Sequence, residues 1–196
     1  MNERERPREP LRIRVGPELR FDRGPSTRLA LDGENASAEI DAHAGPVRID
    51  LLERRVLCAL RIRSEDRVSP RAAAAVATPI GSRRTLEWAG CKVVEHVVVA
   101  PRLAGTIVEW QVEAPMRLTL EWVVPAGAAS VTVDMDGSHV GAMMPADPPL
   151  LAVFDVDPAP LQVTLEDVAR DQVRVRTVLA VDGLARLRAA AAPAAA

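Results

Sequence analysis

The chain has 196 residues, 25 basic and 27 acidic, for a formal charge of −2. That balance excludes a broad electrostatic attraction to phosphate backbones or anionic lipid, so neither nucleic acid nor a membrane surface is an expected partner. The length suits one all-β domain, and with an aromatic share of 3% and no tyrosine its core must be filled mainly by Val, Leu, Ile and Ala.

Met1 to Pro10 is charged and proline-bearing, the reverse of a basic start followed by an apolar stretch, and reads as a disordered leader rather than a signal peptide. Leu11-Arg12-Ile13-Arg14-Val15 then alternates, Leu19 and Phe21 continue the pattern, and Leu29 and Leu31 precede the turn-like Asp32-Gly33. Short strands joined by tight turns are predicted here. Two periods compete between Val47 and Ile62. Val56, Cys58, Leu60 and Ile62 alternate as a strand does, whereas Ile49, Leu52, Val56 and Leu60 match one helix face; the period of two in neighbouring segments favours two strands. Ser69 to Ser82, with two prolines and an alanine run, reads as a connector.

From Arg83 the strand signal strengthens. Cys91 to Ala100 is an almost continuous apolar run closed by Pro101, as expected of a strand covered on both faces. Val108, Trp110 and Val112 share one side of the next segment, and Leu118, Leu120, Trp122 and Val124 share one side of the one after it. Ala114-Pro115 between them predicts a hairpin that sets Trp110 near Glu121 and Glu109 near Trp122. Val131-Thr132-Val133 runs into the turn signal Asp136-Gly137, and strands follow at 150–156, 161–165 and 173–181. Beyond Gly183 the alanine and proline content predicts a frayed tail, a short helix or a linker.

Chemistry is sparse in these letters. His43, His96 and His139 stand far apart, without the His-x-His or His-x-x-x-His spacing that sets two imidazoles on one surface, so no metal site is expected. Asp134-x-Asp136-Gly137 resembles the front of a calcium loop without its distant bidentate Glu, and reads as a hairpin turn. The sequence shows no nucleophile elbow, phosphate-cradling glycine loop or dinucleotide fingerprint, and no catalytic residue or cofactor is assigned. Three Glu-Trp pairs remain: Glu87-Trp88, Glu109-Trp110 and Glu121-Trp122. Exposed indoles could stack on sugar faces beside hydroxyl-binding acids, which makes Trp88, Trp110, Trp122, Glu109, Glu121 and His96 the candidate carbohydrate contacts. The opposing expectation is that flanking Val and Leu turn the rings into the core.

Arg84-Thr85-Leu86-Glu87-Trp88 through Val93 to Pro101, on to Val108-Glu109-Trp110 and Leu118-x-Leu120-x-Trp122, resembles the N-terminal β-rich domain of bacterial glycogen-debranching-enzyme-like proteins, the amylo-α-1,6-glucosidase relatives. The likeness covers about 83 to 182 and rests on strand texture. It implies a supersandwich of antiparallel strands that in the family precedes a helical barrel carrying the glycosidase carboxylates. No succession of amphipathic helices follows here, so no family catalytic residue maps onto this chain.

The resulting expectation is an all-β antiparallel sandwich over 11–183, between a leader at 1–10 and a tail at 184–196. Its expected role is noncatalytic, contacting α-glucan or scaffolding a glycoside hydrolase domain. The alternatives are a free-standing module that binds itself or another protein through an edge strand, and a mutarotase-like sugar epimerase using His96 with Glu95, although neighbouring strand residues point to opposite faces. Two cysteines without an export signal are expected to stay thiols in the cytoplasm.

Overall fold

Among the described residues, alternation becomes antiparallel sheet almost throughout. The computed structural model describes residues 28–64, 70–78, 80–88, 91–145 and 147–194; the expected leader and the alternating segment at 11–21 lie outside them. Strands β1 (Arg28–Asp32), β2 (Ala36–Asp41), β3 (Gly45–Leu51) and β4 (Arg54–Leu57) form one four-stranded sheet in chain order. A second is ordered β14-β15-β10-β5, from β14 (Gln162–Ala169), β15 (Gln172–Val181), β10 (Met116–Val124) and β5 (Ala59–Ser64). The remaining strands are β6 (Arg71–Thr78), β7 (Gly81–Trp88), β8 (Cys91–Val99), β9 (Gly105–Val112), β11 (Val131–Val133), β12 (His139–Met144), β13 (Leu150–Asp157) and β16 (Leu184–Pro193). They build an eight-stranded sheet in the order β11-β12-β13-β16-β9-β8-β7-β6.

The two smaller sheets cover the inner face of the large one. Trp122 of β10 meets Phe154 of β13 with ring centroids 6.0 Å apart, and Arg84 of β7 reaches the Ala42 carbonyl in the turn after β2. One hydrophobic cluster joins all three sheets, including Leu31, Ile40, Leu86, Val97, Val108, Leu120, Val175 and Leu187. This is the all-β sandwich expected from the alternation. Trp110 and Trp122 are fully enclosed in it. Each indole removes about 200 Å² from water, worth at most about 5 kcal/mol at about 25 cal/mol per Å².

Four expectations meet a different structure. Leu184–Pro193 is a strand within the large sheet, paired with β9 and β13, rather than a tail. Arg71–Thr78 is a strand on β7 rather than a connector, its alanine run accommodated at the sheet edge. Ala114-Pro115 does not close a hairpin: β9 pairs with β8 and β16, β10 with β5 and β15, so the chain crosses there from one layer to the other. The indole sides of both strands therefore point into the core from opposite sheets. The ambiguous 47–62 segment is strands, as favoured, but three of them rather than two. The turn between β3 and β4 places Leu52 and Glu53 at φ 51° and 61°, a left-handed conformation carried by side chains that give no turn signal.

Candidate functional site

Two polar sets lie back to back across β8 and β9. On the inner side, Arg84 donates from Nε to Glu95 Oε1 at 2.7 Å, and Trp110 donates from Nε1 to Glu95 Oε2 at 3.0 Å. Arg84 also donates from Nη1 to the Ala42 carbonyl at 3.3 Å. Both charged residues are only 1% exposed, so this buried pair is held by hydrogen bonds at both carboxylate oxygens, as a charge in a low-dielectric core requires. Gly45 makes room for it: a Cβ there would come 2.6 Å from an Arg84 nitrogen, and its φ of 99° disfavours a side chain as well.

On the outer side, register aligns Arg83, His96, Glu109, Arg186 and Asp157 across β7, β8, β9, β16 and β13. Direct neighbours in such a row have Cβ atoms about 4.5–5.5 Å apart. Arg186 donates from Nε to Glu109, and both Glu109 and His96 are buried. A second row sets Arg188, Asp155 and His139 side by side on β16, β13 and β12. Together the rows open into a cleft of about 400 Å³ lined by Asp136, Ser138, His139, Asp155, Asp157, Arg186 and Arg188.

The β11–β12 hairpin shapes one wall. Gly137 takes φ 74° in the turn, Asp136 Oδ1 accepts from the Ser138 hydroxyl at 2.6 Å, and Asp134 Oδ1 accepts from the His139 backbone N–H at 3.1 Å. His139 sits between two carboxylates, with Nδ1 at 2.6 Å from Asp134 Oδ2 and Nε2 at 3.4 Å from Asp155 Oδ1. The hydrogen bond to Asp134 raises the His139 pKa above its ordinary value of 6.5; slight desolvation opposes this, and the charges of Asp155, Asp134 and Asp136 add to it. Asp134 is held below the usual carboxylate value, its desolvation outweighed by hydrogen bonds from the His139 backbone N–H and ring. Ligand atoms of Asp134, Asp136 and His139 lie within 4.8 Å of one another, and these atoms already serve the hairpin's own contacts.

The sequence candidates divide by face. Trp88, Trp110 and Trp122 are buried, at 6%, 0% and 0% exposure, so none offers a ring to a sugar; aliphatic neighbours on the same strand sides carry them into the core. His96 and Glu109 come together on the outer face, whereas His96 and Glu95 point to opposite faces of β8. Glu121 lies on the other layer, accepting from Arg176 Nε at 2.8 Å. The cleft's main residues, Arg186, Arg188, Asp155, Asp157 and His139, were not found by sequence reasoning. The alternation of Ala185, Leu187 and Ala189 with Arg186 and Arg188 was the available signal, masked by the alanine content.

Fold and site thus define an antiparallel sandwich with a charged, hydroxyl-compatible cleft on the outer face of its large sheet. No family model and no curated protein matches the chain. Among solved structures, a provisionally assigned aldose 1-epimerase from Escherichia coli K12 is similar at TM-score 0.59 and 6% identity, covering 86% of this chain and 99% of that one. The two share the fold. A provisionally assigned kojibiose phosphorylase from the human microbiome aligns at TM-score 0.41 and 8% identity, over 80% of this chain and 23% of the phosphorylase. A 4-α-glucanotransferase from Thermococcus litoralis aligns at TM-score 0.47 and 7% identity, over 90% of this chain and 39% of the enzyme. This chain therefore spans well under half the length of the last two. Among the described residues, no helix is long and apolar enough to cross a membrane.

Proposed function

We propose that this chain is a noncatalytic carbohydrate-contacting β-sandwich domain, related to the β-rich domains of glycogen-debranching-like enzymes, that holds α-glucan hydroxyls in the cleft over β12, β13 and β16. The observation that carries this reading is the cleft lining: Asp136, Asp155 and Asp157 accept, Arg186, Arg188 and His139 donate, and Ser138 does both. Sugar hydroxyls need such a mixed set. With the indoles buried, the described residues offer no aromatic stacking platform, so affinity rests on hydrogen bonds and is weak unless a glycoside hydrolase domain supplies the rest of the site. Cys58 and Cys91 are unpaired thiols, which fits a cytoplasmic setting.

Titration with maltotriose, followed by backbone amide NMR, tests the proposal. Shifts confined to β12, β13 and β16 that vanish in Asp155→Asn/Arg188→Gln are expected; unchanged spectra throughout would refute glucan contact by this chain. A native mass that rises with concentration, without any sugar response, would instead favour a self-association module. The exposed β14 edge, with Leu165 and Val168 each 41% exposed, is where such pairing would occur.

One observation favours a second reading, sugar epimerisation. His96 lies directly across from Glu109 on one face, a better acid and base pair than His96 with Glu95, and the fold is shared with the Escherichia coli protein. A mutarotation assay on glucose and galactose, with His96→Ala as control, decides it: activity lost in the variant establishes the reading, and no activity in the native protein removes it.

A further inference from the structure

The outer face of the sheet ordered β14-β15-β10-β5 carries a second cleft, of about 280 Å³, on the opposite layer from the first. That volume lies at the small end of ligand sites. Its lining includes Arg63, Arg117 and Arg176 and one carboxylate, Glu121, flanked by Thr119 and Thr164. Register explains the cluster. Arg63 stands opposite Thr119, and Glu121 lies between β5 and Arg176 of β15, which in turn stands opposite Thr164.

Glu121 accepts from Arg176 at 2.8 Å and lies 3.5 Å from Arg63 Nη2. Two guanidinium groups offer about ten N–H donors, and one carboxylate about four lone-pair sites. Arg63 Nε is buried and makes no hydrogen bond, so the donor excess exists in the structure as well as in the count. A neutral sugar, donating as often as it accepts, leaves such a surplus unmatched. An oxyanion, which only accepts, matches it, and planar forks suit phosphate or carboxylate oxygens in pairs.

We propose that this cleft is a second site, separate from the glucan cleft, for a small sugar bearing an oxyanion, either a phosphate or a carboxylate. The oxyanion follows from the arginines alone; the sugar part rests on the carbohydrate reading. Glu121 acts as a positioning residue, holding the Arg63 and Arg176 forks apart and oriented.

Amide NMR titrations with glucose 1-phosphate, glucuronate, inorganic phosphate and maltotriose test this. Glucose 1-phosphate or glucuronate is expected to move the amides of Thr119, Thr164 and Val178, more weakly as salt rises, while maltotriose leaves them in place. A response to only one of the two names the oxyanion source, and a response to inorganic phosphate as strong as to glucose 1-phosphate would remove the sugar from the proposal. Arg63→Gln/Arg176→Gln should weaken binding at least about tenfold, as expected when charge-assisted hydrogen bonds are lost. Arg174→Gln, whose partner is Glu166 outside the cleft, should leave it unchanged. Still amides with every anion, or equal shifts with maltotriose, would overturn the site, and neither result bears on the β12–β13–β16 amides that report the glucan cleft.

Discussion

Glu95 and Glu109 sit on adjacent strands and both are buried, yet one faces the core and the other the outer surface of the sheet. Glu95 is enclosed by Arg84 and Trp110, and both its oxygens are committed to the fold. Glu109 is paired with Arg186, which also lines the open cleft, so its partner can be reached from outside. A carboxylate's role here is set by strand parity: a shift of one residue along the backbone turns a structural charge into one placed beside a ligand-sized opening.

Removing Glu95 should give the largest effect. Glu95→Ala strands a buried guanidinium and an indole N–H, and should cost about 3–5 kcal/mol in urea unfolding. Glu109→Gln should cost about 1 kcal/mol, because Arg186 keeps access to water through the cleft. Equal costs for the two would erase the distinction between the faces. Between these lies Gly45→Ala, expected at about 1–3 kcal/mol by thermal or chemical denaturation, since the new methyl meets Arg84 and the backbone is left-handed there. If it proves neutral, the Arg84 network is looser than the geometry shows.

Arg188→Gln sharpens the outer side. Stability should change by less than about 0.5 kcal/mol while the maltotriose-induced shifts weaken. Tryptophan emission should be blue-shifted, resist acrylamide and ignore maltotriose, because Trp110 and Trp122 are shielded; efficient quenching would contradict their burial. The smallest effect is one of pH. Raised His139 contributes to its hairpin fully below pH 6.5 and loses that contribution as pH climbs through its folded pKa. Lowered Asp134 contributes fully above pH 3.8 and loses it as pH falls through its own. The hairpin is thus firmest between those limits, and Asp134→Asn should bring the His139 NMR titration midpoint back down.

Strand content was legible wherever apolar residues alternated with polar ones, as in Leu118, Leu120, Trp122 and Val124. Pairing was not. Two strands joined by Ala114-Pro115 look alike whether they lie side by side or face each other across a core, because both arrangements bury the same alternate residues. The Arg71–Thr78 and Leu184–Pro193 strands were hidden by alanines, whose small side chains carry little periodic contrast and fit an edge or a tight interlayer position equally well. The site was less visible still. His96 and Glu109 were singled out, but their alignment depends on the β8–β9 register, and Arg186 and Asp155 join them only through β16, whose place in the sheet no local pattern states. Glu95 within an apolar run was the one local hint of a buried partner, and Arg84 lay eleven residues upstream.

That β16 lies between β9 and β13 has a consequence for how the molecule is made. Until residue 193 has left the ribosome, the large sheet exists only as two separate ribbons, 71–112 and 131–157, each with a bare edge where the joining strand belongs. Nascent chains should therefore be most prone to stick to one another between the emergence of residue 157 and that of residue 193, and a chaperone that shields bare strand edges would help most in that interval.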